Sequence, residues 1–167
     1  MPPQTVRCHP HLVIGNGLDL SHFSSLHDLE LVGAPRLEAA TFTTSLELQA
    51  YPRSPTLRRA LGAGRSPIQA RFTASGGSLA IASFRSPLRF DALFTGRANA
   101  EGHCETQTLL FFYSSRPLYV WRSLLLVYTL LRNDRRMLDG LRFAPDWSES
   151  DESLRAFADM VDRLDTW

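Results

Sequence analysis

Apolar and polar residues alternate along much of the chain's middle. Phe42, Thr44, Leu46, Leu48 and Ala50 share one face of an extended segment, and Glu47 and Gln49 take the other. That period of two is the pattern of a half-buried strand. Ile68, Ala70, Phe72 and Ala74 repeat it, and Gly76-Gly77 supplies a tight turn. Leu79 to Phe84 then runs back as the partner strand until Pro87 breaks it. Leu88, Phe90, Ala92 and Phe94 alternate again, Gly96 to Gly102 reads as a loop, and Cys104 to Tyr113 as a last long strand. The pattern predicts an antiparallel sheet from Ala34 to Tyr113.

After Tyr113 the period changes. Ser115 is placed to cap a helix and Pro117 suits its first turn. Trp121, Leu124, Leu125, Tyr128, Leu131 and Leu138 fall on helical spacing, and Gly140 is a stop signal. A second helix is predicted after Pro145, with Ser148 and Asp151 spaced like a capping box and a stripe of Leu154, Phe157, Ala158, Val161 and Leu164. Ahead of the sheet, Leu12-Val13-Ile14 ends at Gly15-Asn16-Gly17. That stretch predicts a short strand or loop, then one or two turns of helix. The order describes an α+β fold in one domain spanning residues 1–167: a curved antiparallel sheet wrapped on a long C-terminal helix. A cavity between the two has Phe72, Phe84, Phe90, Phe94, Phe111 and Phe112 as candidate lining, with core packing as the plainer role for each.

Composition narrows the class. Of 167 residues, 44% are hydrophobic and 21% charged, the balance of a soluble globular domain rather than a disordered one. Net charge is +1, which gives no bulk attraction to nucleic acid or anionic membrane. Two cysteines, Cys8 and Cys104, are too few for a disulfide framework and fit a reducing, cytoplasmic compartment. The start lacks the layout of a signal peptide. The most apolar stretch, Leu118 to Leu131, carries Arg122 and is shorter than the ~20 residues a bilayer span needs.

The candidate chemistry begins in the stretch from Asn16 to His27. Asp19 and His22 share a face if the segment is helical. His22 and His27 stand five apart, which splays them by ~140° on a continuous helix. For both to meet one metal the helix must end or bend between them, and Ser24-Ser25 makes that feasible. Neutral imidazole favours Fe(II), Zn(II) and similar ions. Asp19 is placed to support such a histidine or to pass on a proton. Two ordinary surface or core histidines are the plainer alternative. Asp134 lies among Val127, Leu131 and Leu138 on the long helix, where a carboxylate is costly unless metal-bound or paired with Arg132, Arg135 or Arg136. Two histidines and one carboxylate form the facial triad of non-haem Fe(II) oxygenases. Asp139 is the reserve third ligand.

Asn16-x-x-Asp19-x-x-His22-Phe23-x-x-x-His27 resembles the iron-binding motif of the Rieske non-haem iron oxygenases. The spacing is that of the branch with vanillate and dicamba demethylases and pheophorbide a oxygenase. Asn133-Asp134-Arg135-Arg136-Met137-Leu138-Asp139-Gly140 is similar to the family's late helix. The resemblance covers essentially the whole chain and implies a helix-grip catalytic domain. It implies Fe(II) on His22, His27 and Asp134, Asp19 as the aspartate bridging to a Rieske cluster, and Asn16 near the iron. Phe23 would be a pocket neighbour or simply packing. The implied activity is O2-dependent hydroxylation, demethylation or desaturation of a small apolar or aromatic substrate, in an oligomer, a trimer by resemblance.

The chain departs from the family in one respect. The paired Cys-x-His and Cys-x-x-His ligands of a Rieske [2Fe–2S] domain are absent from it. Cys8-His9-Pro10-His11 spells half of the pattern, without the other half and too close to Asn16. The cluster would therefore act in trans, from a Rieske or ferredoxin electron donor, unless the chain is truncated or the activity lost. Two rivals stand beside the oxygenase: a metal-free helix-grip module for a lipid or aromatic ligand, and a non-catalytic subunit packed in an oxygenase oligomer.

Overall fold

The period-two segment around Leu46 forms strand β4 (Thr43–Pro52), which buries Thr44, Leu46, Leu48 and Ala50 and exposes Glu47 and Gln49. It belongs to a computed structural model that describes residues 3–61, 66–141 and 151–164. β4 opens a meander of antiparallel neighbours: β5 (Ile68–Ser75), β6 (Leu79–Ser86), β7 (Phe90–Ala98) and β8 (Cys104–Phe112). β1 (Gln4–Val6) adds to the free side of β8, while β2 (Leu29–Leu31) and β3 (Arg36–Ala39) both pair with β4 at the opposite edge. The eight described strands therefore run β1-β8-β7-β6-β5-β4-β2, with β3 beside β4. The register aligns Leu46 with Phe72, Phe72 with Ala82, and Ala82 with Ala92. One face of the sheet is thus an apolar floor.

Between β1 and β2 the chain forms α1 (Pro10–Gly15), a single 3-10 turn (Asn16–Leu18) and α2 (Leu20–Ser25). α3 (Pro55–Leu61) joins β4 to β5, α4 (Pro117–Leu138) follows β8, and α5 (Glu152–Leu164) packs on β4. The main core joins floor and helices through Leu46, Ala82, Phe90, Leu126, Phe157 and Met160. A satellite cluster of Val6, Cys8, Cys104 and Leu138 seals β1 against the end of α4, and both cysteines are free thiols. No helix among the described residues is long and apolar enough to cross a membrane.

The α+β architecture follows the hydrophobic pattern, with local corrections. Leu12-Val13-Ile14 is helical, inside α1, because Pro10 starts a helix at its first turn. Phe42 precedes β4 and is exposed. Gly96 belongs to β7, which continues to Ala98 before the turn. Ser115 does not cap α4: Arg116 holds that position without a side-chain bond, and its N–H donates to Ser114 Oγ. On α4, Trp121, Leu124 and Tyr128 face outward, and Ser123, Leu126, Val127 and Leu138 are the buried positions. From Leu118 to Leu131 this helix is apolar nearly all round, so spacing alone does not select its core face. Pro145 and Ser148 lie outside the described residues.

Candidate metal centre

Asp19 starts the site by ending the 3-10 turn. Its Oδ1 accepts from the backbone N–H of Ser21 at 2.9 Å and of His22 at 3.3 Å, and from Ser21 Oγ at 2.7 Å, which caps α2. The cap sets His22 in the first turn. There Nδ1 meets the Asp19 carbonyl oxygen at 2.8 Å. A carbonyl only accepts, so Nδ1 carries a proton, and Nε2 is the ring atom turned toward Asp134. The backbone of Asp19, not its carboxylate, therefore gives the support that orients a ligand histidine.

α2 stops at Ser25, where the five-residue spacing requires an end. The N–H groups of Leu26 and His27 both donate to the His22 carbonyl, at 2.8 and 3.3 Å. The chain then turns through Asp28, whose φ of 53° is left-handed, and enters β2. This brings the two imidazole centroids to 4.7 Å. Asp134 approaches from α4, with Oδ1 2.8 Å from His27 Nε2 and 3.5 Å from His22 Nε2. Asn133, beside it, donates from Nδ2 to the Leu26 carbonyl at 3.5 Å and ties α4 to the loop between the histidines.

One ligand atom from each of His22, His27 and Asp134 lies within 4.8 Å of the others, and both histidines are buried. Burial pushes the Asp134 carboxyl up, but the His22 and His27 rings outweigh it and hold it down at about 2. Although Asp134 Oδ1 nearly touches His27 Nε2, it has no hydrogen bond of acceptable geometry, and neither has His27 Nδ1. Buried polar atoms are seldom left so. A carboxylate oxygen without a hydrogen bond of good geometry, set between two imidazole Nε2 atoms, suits a divalent cation held among them. The donor set fits ferrous iron.

Other sequence candidates fall differently. Asn16 begins the 3-10 turn and lines the same cavity as the triad. Phe23 packs against Phe72, ring centroids 5.2 Å apart, and against His22 at 4.6 Å. Asp139, the reserve ligand, is engaged elsewhere: its carboxylate takes Arg7 Nε at 3.1 Å and Nη2 at 2.8 Å. That arginine holds it at about 2.

The cavity beside the triad has a volume of about 130 Å³, with Phe72, Phe84, Phe94, Leu126 and Leu130 among its walls. Phe90 is fully buried in the core and Phe112 packs against it, whereas Phe111 points to solvent. Two supports escaped the sequence reading. Ser153 on α5 donates from Oγ to the Leu18 carbonyl at 2.5 Å. At Gly17 a Cβ would stand 2.7 Å from Phe72 Cδ1, so only glycine lets the turn approach the cavity wall. The Gly-Asn-Gly run was the available signal for the second; nothing in the sequence marks the first.

No protein-family model matches the chain, and no curated protein sequence matches it. Among solved structures it is similar to dicamba monooxygenase bound to 3,6-dichlorosalicylic acid, with a TM-score of 0.68 and 14% identity over 98% of this chain and 58% of that one. It is also similar to dicamba monooxygenase bound to dicamba, with a TM-score of 0.69 and 11% identity over 99% and 57%. The chain thus spans less than two thirds of those enzymes' length. At this identity the likeness is one of fold: the antiparallel sheet with C-terminal helices is the α+β, helix-grip-like architecture of those structures.

Proposed function

We propose that this chain is the mononuclear-iron catalytic domain of an oxygenase, with ferrous iron on His22, His27 and Asp134. The observation that carries the reading is the convergence of two histidines from one end of the chain and a carboxylate from the other at the wall of an apolar cavity. Bound there, ferrous iron supplies O2 activation at the coordination positions that three protein ligands leave open. The protein's part is orientation and exclusion of water. The Asp19 carbonyl fixes the His22 tautomer, the end of α2 turns His27 inward, and Asn133 anchors the helix that carries Asp134.

The aromatic walls seat a small apolar or aromatic substrate for hydroxylation, demethylation or desaturation. Electrons would come from a separate Rieske centre, with Asp19 as the residue that would bridge to it, and Asn16 lines the cavity onto which the three ligands open. The working form is a soluble, cytoplasmic oligomer. The test is reconstitution: iron-loaded protein with a Rieske ferredoxin and its reductase, followed by O2 uptake and product oxygenation over a panel of single-ring aromatics. Substrate-dependent uptake that stops when the Rieske component is withheld is expected. Tight binding of an apolar ligand by protein that takes up no iron contradicts the reading in favour of a metal-free binding module.

A further inference from the structure

The inner face of β8 departs from the apolar floor in one place. Alternation turns Cys104, Thr106, Thr108, Leu110 and Phe112 to the same side of that strand. Cys104, Leu110 and Phe112 are apolar and join the hydrophobic clusters. Thr106 and Thr108 interrupt them, and both line the cavity beside the triad, Thr108 buried and Thr106 half-buried. Gln4 stands opposite Thr106 on β1 and lines the same cavity at its exposed rim. A hydroxyl facing an apolar interior is costly unless it is hydrogen-bonded, and valine, of nearly the same shape, avoids that cost.

The floor in front of these threonines is low. The register places Ala74 beside Ala80, Ala80 beside Phe94, and Phe94 beside Thr108. Three strand steps of ~4.8 Å, or ~14 Å of sheet, separate β5 from β8. At the β5 side Phe72 packs on Phe23, which packs on His22. The slot therefore has the metal ligands toward one side and two hydroxyls at the other. Neighbouring polar groups are engaged elsewhere: the Thr73 hydroxyl meets Ser45 Oγ at 2.9 Å, and the Arg135 guanidinium meets Gln4 Oε1 at 3.4 Å.

We infer that Thr106 and Thr108 form a specificity subsite for one uncharged hydrogen-bonding substituent, a hydroxyl or a carbonyl, on a ring lying over the alanine floor. The inference rests on the catalytic reading above and narrows its substrate class. The substrate is neutral, with a polar group at one end held by β8 and the opposite end turned toward His22 and His27. A threonine hydroxyl donates one hydrogen bond and accepts others, so it serves a partner in the fold and a ligand together. A carboxylate in the same place would be buried without a cation, which is the costlier arrangement.

Titration calorimetry of the metal-free full chain near pH 7 tests this, with 4-methylphenol and toluene as probes. The phenol is uncharged there, since phenolic groups ordinarily ionise near ~10. Wild type should bind 4-methylphenol about tenfold more tightly than toluene, the contribution of one good hydrogen bond. Thr106→Val and Thr108→Val should keep toluene affinity and each lower that preference, and the double variant should abolish it. Circular dichroism checks folding, and if Thr108→Val does not fold, Thr106→Val decides alone. Iron content of loaded Thr106→Val should match wild type. Because the titration uses metal-free protein, loss of the metal centre and loss of the subsite are separate results. Equal binding of the two probes by wild type overturns the inference, as does failure to bind either. So does a tenfold preference that persists in the folded valine variants, which would place the polar group at Asn16 or the triad.

Discussion

Ser153 on α5 donates its hydroxyl to the carbonyl of Leu18, across 2.5 Å and nearly the full length of the sequence. The bond holds the C-terminal helix against the 3-10 turn that leads to Asp19 and His22. Both residues are buried, so no water replaces the bond when it is lost. Ser153→Ala should cost ~1–3 kcal/mol, the penalty for stranding a buried carbonyl. Urea denaturation checks this: the midpoint should fall with the slope unchanged, and an unchanged midpoint would show that α5 needs no such tie.

Gly17 lies against the cavity wall. Gly17→Ala brings a methyl group onto Phe72, and the ring must move because the contact is close to its root rather than its tip. Overpacking of this kind costs ~1–3 kcal/mol. Phe72 also meets Phe23 and Phe84, so the shift should propagate to the near-ultraviolet circular dichroism. Wild-type stability and spectrum in this variant would show that the turn yields instead.

Much of this architecture was legible in the sequence. Period-two runs over β5 to β8 specify a meander because strands joined by short connections pair with their neighbours; between β4 and β5 the chain forms α3, a helix the alternating pattern did not predict. The outward face of α4 was not legible, because a helix apolar all round its first turns leaves the choice of face to the sheet. At the metal site, spacing required a helix end between His22 and His27, and Ser25 provides it. Choosing between Asp134 and Asp139 needed three dimensions: Asp134 on α4 turns toward the histidines, and Asp139, just past the end of that helix, turns toward Arg7. Ser153 and Asn133 were invisible because each bonds a backbone carbonyl remote in sequence.

The Arg7–Asp139 pair sets a pH dependence. Its folded carboxyl is held at about 2, below the ordinary 3.8. A depressed acid stabilises the fold above its unfolded value, and that stability drains away as pH falls from about 4 toward 2. Asp134 is depressed in the same window. Asp139→Asn should therefore flatten part of the acid limb and leave the rest. Denaturation midpoints at pH 2.5, 3.5 and 5 measure it, and a limb identical to wild type would mean that solvent screens the pair completely.

Cavity chemistry predicts ligand choice. Among the described lining residues the titratable side chains are His22, His27, Asp134 and Arg135. Arg135 is exposed and reaches Gln4 Oε1 at 3.4 Å, so no cation is set inside to pair with a carboxylate. A cavity of about 130 Å³ is close to the ~150 Å³ that holds benzene in a dry apolar site. Toluene should raise the Tm of chelated protein by several degrees and benzoate at equal concentration should not. Equal shifts would contradict a neutral cavity.

The most direct measurement is metal content by elemental analysis after anaerobic loading with ferrous iron and desalting. One iron per chain is predicted for wild type, falling below about a tenth in folded His27→Ala and Asp134→Ala, while Asp139→Asn keeps its iron. Wild-type protein that retains none, or ligand variants that retain as much as wild type, would contradict a metal centre on these three residues.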